Sequence, residues 1–116
     1  MNAFSDRELD LEPADVARRH AAGEIILVDV REPYEWEAGH VPGSSHIEME
    51  RVASMAREIP RDRPVAFICL GGVRSGMVTQ GFRAIGYDAY NVRGGFAAWV
   101  ALGLPTEPDG AIAAPH

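Results

Sequence analysis

The sequence predicts an α/β domain in which a parallel sheet is covered by helices on both faces. Two runs, residues 25–30 and 65–70, are apolar almost throughout, as strands buried on both faces of a parallel sheet are. Segments with helical spacing of apolar residues lie between the strand candidates, and that alternation implies crossover connections. At 116 residues the chain has room for one core and not two. Residues 7–105 are expected to form the domain, with 1–6 a short N-terminal extension and 106–116 a loosely held tail rich in Pro, Gly and Ala.

Taken in order, Glu8, Leu9, Asp10 and Leu11 alternate charge with leucine and read as a short edge strand. Pro13 suits the first turn of a helix, and Val16, Ala17, His20 and Ala21 share one face before Gly23 stops it. The strand at 25–30 holds an anomaly, Asp29. A carboxylate near the end of an apolar strand needs partners, because burying it uncompensated is costly. The residues leave open whether Asp29 pins a loop or takes part in a site at the carboxyl ends of the strands, where ligands gather in open α/β sheets. Residues 33–39 read as a helix of a turn or two, opened by Pro33 and closed by Gly39. Glu32 and Glu35 offer partners for Arg31 or Arg74, and Trp36 is placed to wall the site. A turn at 40–44 leads to a brief strand at 45–47, and His40 and His46, which lack metal-ligand spacing, read as hydrogen-bonded structural histidines. Met49, Val52, Ala53 and Ala56 recur at helical spacing up to Pro60, predicting one core-facing helix.

The strand at 65–70 delivers the only cysteine, Cys69, to the turn Gly71-Gly72 just as a new helix begins. Glycines let the peptide curl with several N–H groups pointing inward. Ser75 opens the helix, whose face is expected to be Met77, Val78, Phe82 and Ile85, ending at Gly86. Cys69 would then lie under the positive end of a helix beside Arg74, and both favour the thiolate, the reactive form. A lone cysteine ending an apolar strand is otherwise a small core residue; the Gly71-Gly72-Val73-Arg74-Ser75 sequel decides for chemistry. A last strand at 87–92 and the turn Arg93-Gly94-Gly95 lead to a short helix carrying Phe96, Trp99 and Val100.

A net charge of −6 argues against a broad nucleic-acid or anionic-membrane surface, while a local positive pocket at Arg31 and Arg74 is compatible with it. One cysteine forms no internal disulfide and no Cys-x-x-Cys pair, which excludes dithiol redox chemistry and a cysteine zinc site. No metal or cofactor is expected. The amino end lacks a basic segment followed by an apolar one, and no run approaches the roughly 20 residues that cross a bilayer. A reducing, cytoplasmic location is the expectation.

Several separated signatures, in order, resemble the single-domain rhodanese-like family. They are Leu27-Val28-Asp29-Val30-Arg31-Glu32, then Glu35-Trp36 with Gly39-His40-Val41-Pro42-Gly43-Ser44, then Cys69-Leu70-Gly71-Gly72-Val73-Arg74-Ser75, then Gly94-Gly95-Phe96-Ala97-Ala98-Trp99 with Gly103-Leu104-Pro105. The resemblance implies a doubly wound domain with a five-stranded parallel sheet, and sulfurtransferase activity through a cysteine persulfide. By position, Cys69 is the sulfur-accepting nucleophile, and Leu70, Gly71, Gly72, Val73, Arg74 and Ser75 form the substrate cradle. Asp29, Arg31 and Glu35 match supporting positions, expected to brace the cradle by pairing with Arg74. The implied partners are a small sulfur donor, such as thiosulfate or a persulfide, and a thiol, cyanide or protein acceptor.

Two rivals use the same architecture. A cysteine phosphatase would hold its oxyanion between a thiolate, amides and an arginine, but related phosphatases resemble Cys-x5-Arg, whereas four residues separate Cys69 from Arg74 here. A regulatory or sulfur-carrier module would keep the fold without independent turnover. Leu70 is apolar where many thiosulfate-using relatives present a basic residue, which points toward persulfide donors.

Overall fold

The computed structural model describes residues 9–113, so the expected extension at 1–6, Glu8 of the expected edge strand and the last three residues of the expected tail lie outside it. Among the described residues, five strands alternate with five helices: β1 Asp10–Leu11, α1 Pro13–Ala21, β2 Ile26–Asp29, α2 Pro33–Ala38, β3 Ser45–His46, α3 Met49–Val52, β4 Val65–Ile68, α4 Val73–Ala84, β5 Ala89–Val92 and α5 Gly95–Ala101. All pairings between these five strands are parallel, in the order β1-β5-β4-β2-β3. No helix among the described residues is long and apolar enough to cross a membrane.

Alternation along the strands divides the core into two layers. Leu27, Ala66, Ile68 and Val92 pack with Val16 of α1 and with Phe96 and Trp99 of α5. Val28, Val65, Phe67 and Ala89 pack with Val52 of α3 and with Val78 and Phe82 of α4. Both faces of β4 are therefore buried, which is why its sequence shows no alternation. The chain leaves β2 toward β3 on one side and leaves β4 toward β5 on the other. The sheet's switch point thus lies between the carboxyl ends of β2 and β4.

Three local expectations are revised. The helix predicted from Met49 to Ala56 is split into α3 and a single 3-10 turn, Ala56–Glu58. The Ser54 hydroxyl bonds back to Arg51 O at 2.9 Å, and the Tyr87 hydroxyl is placed between Ala56 O and Ile59 O, at 2.6 and 3.0 Å. Arg51 O also accepts from Met55 N–H at 3.1 Å, but beyond it the Ala56 and Ile59 carbonyls take the Tyr87 hydroxyl, which closes the turn without a continuing helix. Second, α4 begins at Val73 and buries Ser75, Val78, Thr79 and Phe82, while Met77 and Ile85 are exposed. The spacing of the buried positions is helical, but two of the four are polar and do not show in the apolar pattern. Third, the segment after Leu104 is tied down as far as residue 111. Trp99 Nε1 donates to Pro105 O at 2.8 Å, the His40 and Glu107 backbones exchange hydrogen bonds, and Thr106, itself buried, accepts from Ala111 N.

Candidate active site

The loop after β4 sits at the switch point. Gly72 adopts φ +104, a left-handed conformation that aims its N–H back at Cys69 Sγ, 3.1 Å away. The Ser75 hydroxyl, from the first turn of α4, stands 3.2 Å from the same sulfur. Behind the loop, the first amides of α5 hold its carbonyls: Phe96 N–H donates to Cys69 O at 2.7 Å and Ala97 N–H to Leu70 O at 3.0 Å. Gly95 makes this approach feasible, since a Cβ there would meet both carbonyl oxygens at 2.5 Å. The sulfur end of the loop and its back are thus fixed by two different helix starts.

Cys69 is only 1% exposed and packs against the Val28 and Phe67 layer. It is more enclosed than its place in a loop suggested, yet a backbone N–H and a hydroxyl lie within hydrogen-bond distance of its sulfur.

Arg74 and Glu35, 39 residues apart in sequence, form a two-pronged ion pair at 2.9 and 3.1 Å. Glu35 also accepts the Glu32 N–H at 2.9 Å, which closes the start of α2. Burial pushes the Glu35 carboxyl upward, but the bonds from Arg74 and Glu32 and the charge of Arg31 outweigh it and hold the group below its ordinary value. The hydrogen bonds and the charge of Glu35 raise Arg74 above its ordinary value against burial, with smaller pushes from the charges of Cys69 and Glu32. The guanidinium therefore stays charged beside the sulfur.

Asp29 and Arg31 do not pair with Arg74 as expected; they pair with each other, fully buried. Asp29 accepts from Arg31 Nε and Nη2 at 2.8 to 3.0 Å and from the Arg31 backbone N–H at 3.0 Å. Arg31 Nη2 also donates to Gly39 O at 2.7 Å, tying the end of β2 to the end of α2. Its Nη1 has no hydrogen-bond partner, but the guanidinium lies 4.3 Å over the Phe96 ring, whose face attracts the charge. Asp29 thus braces the arch that carries Glu35, one step removed from the loop. Trp36, expected to wall the site, instead stacks on His40 and His46 at 3.5 and 4.9 Å between ring centres. Both histidines are hydrogen-bonded to backbone carbonyls, of Trp36 and Arg31.

Two contributors were not foreseen. Asn91 of β5 contacts Ser75, Gly72 and Asp10, and Gly95 clears space for the loop. The signal for Asn91 was available, because a polar residue inside a strand asks the same question that Asp29 did. On the outer rim the carboxylates of Glu32, Glu48 and Glu50 come within 4.8 Å of one another.

A family model for the rhodanese-like domain matches residues 12–102. The chain belongs to the rhodanese-like family. Within it, the chain is 37% identical over 93 residues to the thiosulfate sulfurtransferase GlpE of Pseudomonas syringae, covering 76% of this chain and 81% of that protein. It is 42% identical over 74 residues to the uncharacterized protein YqhL of Bacillus subtilis, covering 63% of this chain and 59% of that protein, less than two thirds of its length. A crystal structure of a rhodanese-related protein from Thermoplasma volcanium superposes with a TM-score of 0.78 at 27% identity, covering 84% of this chain and 95% of that one. The five-stranded parallel sheet is thus the fold of rhodanese-like proteins.

Proposed function

We propose that this rhodanese-like protein is a sulfurtransferase that carries sulfane sulfur as a persulfide on Cys69. The observation that carries the reading is the pair of donor groups, the Gly72 N–H and the Ser75 hydroxyl, that lie 3.1 and 3.2 Å from one sulfur at the switch point. In the first half-reaction the thiolate attacks the outer sulfur of the donor. With thiosulfate, a bond forms between Cys69 Sγ and that sulfur, the donor's S–S bond breaks, and its electron pair leaves as sulfite. In the second, an acceptor thiolate or cyanide takes the outer sulfur, and the electron pair of the broken S–S bond returns to Sγ. Sulfite needs no general acid to leave, so a histidine partner for Cys69 is not required. The step needs stabilised negative charge, which fixed N–H and O–H donors and the Arg74 charge supply.

The donor class follows from the rim. Arg74 is engaged by Glu35, Arg31 is fully buried, and Glu32, Glu48 and Glu50 add negative charge. A dianion such as thiosulfate meets little free positive charge there. Val73 and Met77, exposed one helical turn apart beside the loop, offer apolar contact instead. We therefore assign a protein or low-molecular-weight persulfide as the better donor and a thiol as the cellular acceptor, with no resident cofactor or metal.

The test is turnover to thiocyanate with thiosulfate and with a persulfide donor, in wild type and Cys69→Ser. Higher kcat/KM for the persulfide, and no product from the folded variant, are expected; product from Cys69→Ser would remove the assignment. Hydrolysis of an aryl phosphate at comparable efficiency would favour the phosphatase reading. The enclosure of Cys69 favours a second reading, a module that exchanges sulfur only with a protein partner, and negligible thiocyanate production despite persulfide loading would select it.

A further inference from the structure

Asn91 sits on the face of β5 that looks toward α4, and is 6% exposed. Its side-chain nitrogen has two acceptors, Asp10 Oδ1 at 2.9 Å across the β1/β5 pair and Gly72 O at 3.2 Å. An amide nitrogen only donates, so these partners fix which way the group is turned. Its oxygen must then face Ser75, whose hydroxyl lies 2.5 Å away. That same hydroxyl is 3.2 Å from Cys69 Sγ. A hydroxyl has one proton to donate, and here it has two acceptors.

We infer that Asn91 is a positioning residue for Cys69: its amide oxygen accepts the Ser75 O–H hydrogen bond while Sγ is uncharged and yields that bond to Sγ when charge appears there. This rests on the proposed persulfide cycle. In the loaded state Sγ is bonded to the outer sulfur, which bears the charge, and Sγ itself is a poor acceptor. Ser75 then points at Asn91, and no buried hydroxyl is left without a partner. On discharge to cyanide, a bond forms between carbon and the outer sulfur, and the S–S bond breaks with its electron pair moving to Sγ. The Ser75 O–H turns from Asn91 to the emerging thiolate, and no proton is transferred. Through its bond to Gly72 O, Asn91 also fixes the residue whose N–H meets the sulfur, so both hydrogens aimed at Sγ are indexed to one side chain.

The test is an ultraviolet titration of the thiolate, with Cys69→Ser as the blank. It requires no sulfur transfer, so a protein that never loads sulfur would fail the functional reading while leaving this result standing. Arg74, whose charge interacts with Cys69, and its partner Glu35 are unchanged in every variant, as is Asp10 behind Asn91. Ser75→Ala should move half-ionisation upward by about one pH unit, a tenfold change in the ionisation constant. Asn91→Ala should move it downward, because Ser75 loses its competing acceptor, and Ser75→Ala with Asn91→Ala should match Ser75→Ala alone. An upward shift in Asn91→Ala that adds to that of Ser75→Ala would mean a merely structural role and overturn the inference. Should Asn91→Ala fail to fold, Asn91→Leu fills nearly the same volume without an acceptor and should likewise move half-ionisation downward. An upward shift, or a downward one that persists undiminished when Ser75 is already alanine, would refute the coupling.

Discussion

Gly95→Ala isolates the contact that holds the back of the active loop. Gly95 has φ +63, and an alanine Cβ there would stand 2.5 Å from both Cys69 O and Leu70 O. Ordinary carbon–oxygen contacts are about 3.3 Å, so the loop must retreat by roughly 0.8 Å. A left-handed conformation costs a residue with a Cβ about 1–2 kcal/mol. Overpacking adds about 1–3 kcal/mol, giving a total of about 2–5 kcal/mol. Domains have about 5–15 kcal/mol in all, so the variant should fold but with its loop displaced. Gly103 is the control at the other end of α5: its φ is +70, but a Cβ there meets nothing within 4 Å. Gly103→Ala should cost only the conformational part, about 1–2 kcal/mol. Urea denaturation of both variants measures the difference, and the rate of persulfide formation should fall only in Gly95→Ala. Equal destabilisation, or unimpaired loading in Gly95→Ala, would refute the idea that close packing of α5 against the loop shapes the site.

The remaining predictions address the charges. Glu35→Gln should destabilise by about 1–2 kcal/mol at neutral pH, since the charged hydrogen bonds are lost but Arg74 retains some water contact. The Glu35 carboxyl is held below its ordinary value near 4.5, so wild type keeps its full advantage above that pH and loses it as pH falls through the depressed value. Denaturation curves of wild type and variant should converge in acid; a constant gap would contradict the ion-pair account. Arg31→Ala leaves Asp29 buried and unpaired and should cost about 3–5 kcal/mol in urea, while a loss under about 1 kcal/mol would show that the pair is not the brace described. Leu70→Arg adds a cation to the rim and should raise kcat/KM for thiosulfate about fivefold at low salt, with the gain shrinking as salt rises. An unchanged value would mean that rim charge does not select the donor.

What the sequence revealed depended on how local each cause was. The two apolar strands and the glycine turn after Cys69 announced the sheet and the site, because burial on both faces leaves an unbroken apolar run. Asp29 stood out as a charge in such a run. Asn91 carried a weaker form of the same signal, because the expected strand at 87–92 also holds two tyrosines and an aspartate and gives little contrast. The buried face of α4 was misread where Ser75 and Thr79 replace apolar residues, Thr79 being satisfied by Ser75 O and Tyr90 O. The break after α3 depends on Tyr87, more than 25 residues away, and nothing in the helix's own pattern reports it. Glu35 was available as a partner for Arg74, but only the fold could choose it over Asp29.

The central claim is that Cys69 stores sulfur. Intact-protein mass spectrometry after incubation with thiosulfate or a low-molecular-weight persulfide tests it directly. The account predicts one added sulfur atom on the wild-type chain, removed by cyanide and absent from Cys69→Ser. An unmodified wild-type chain with both donors, or an equal mass gain in Cys69→Ser, would contradict it.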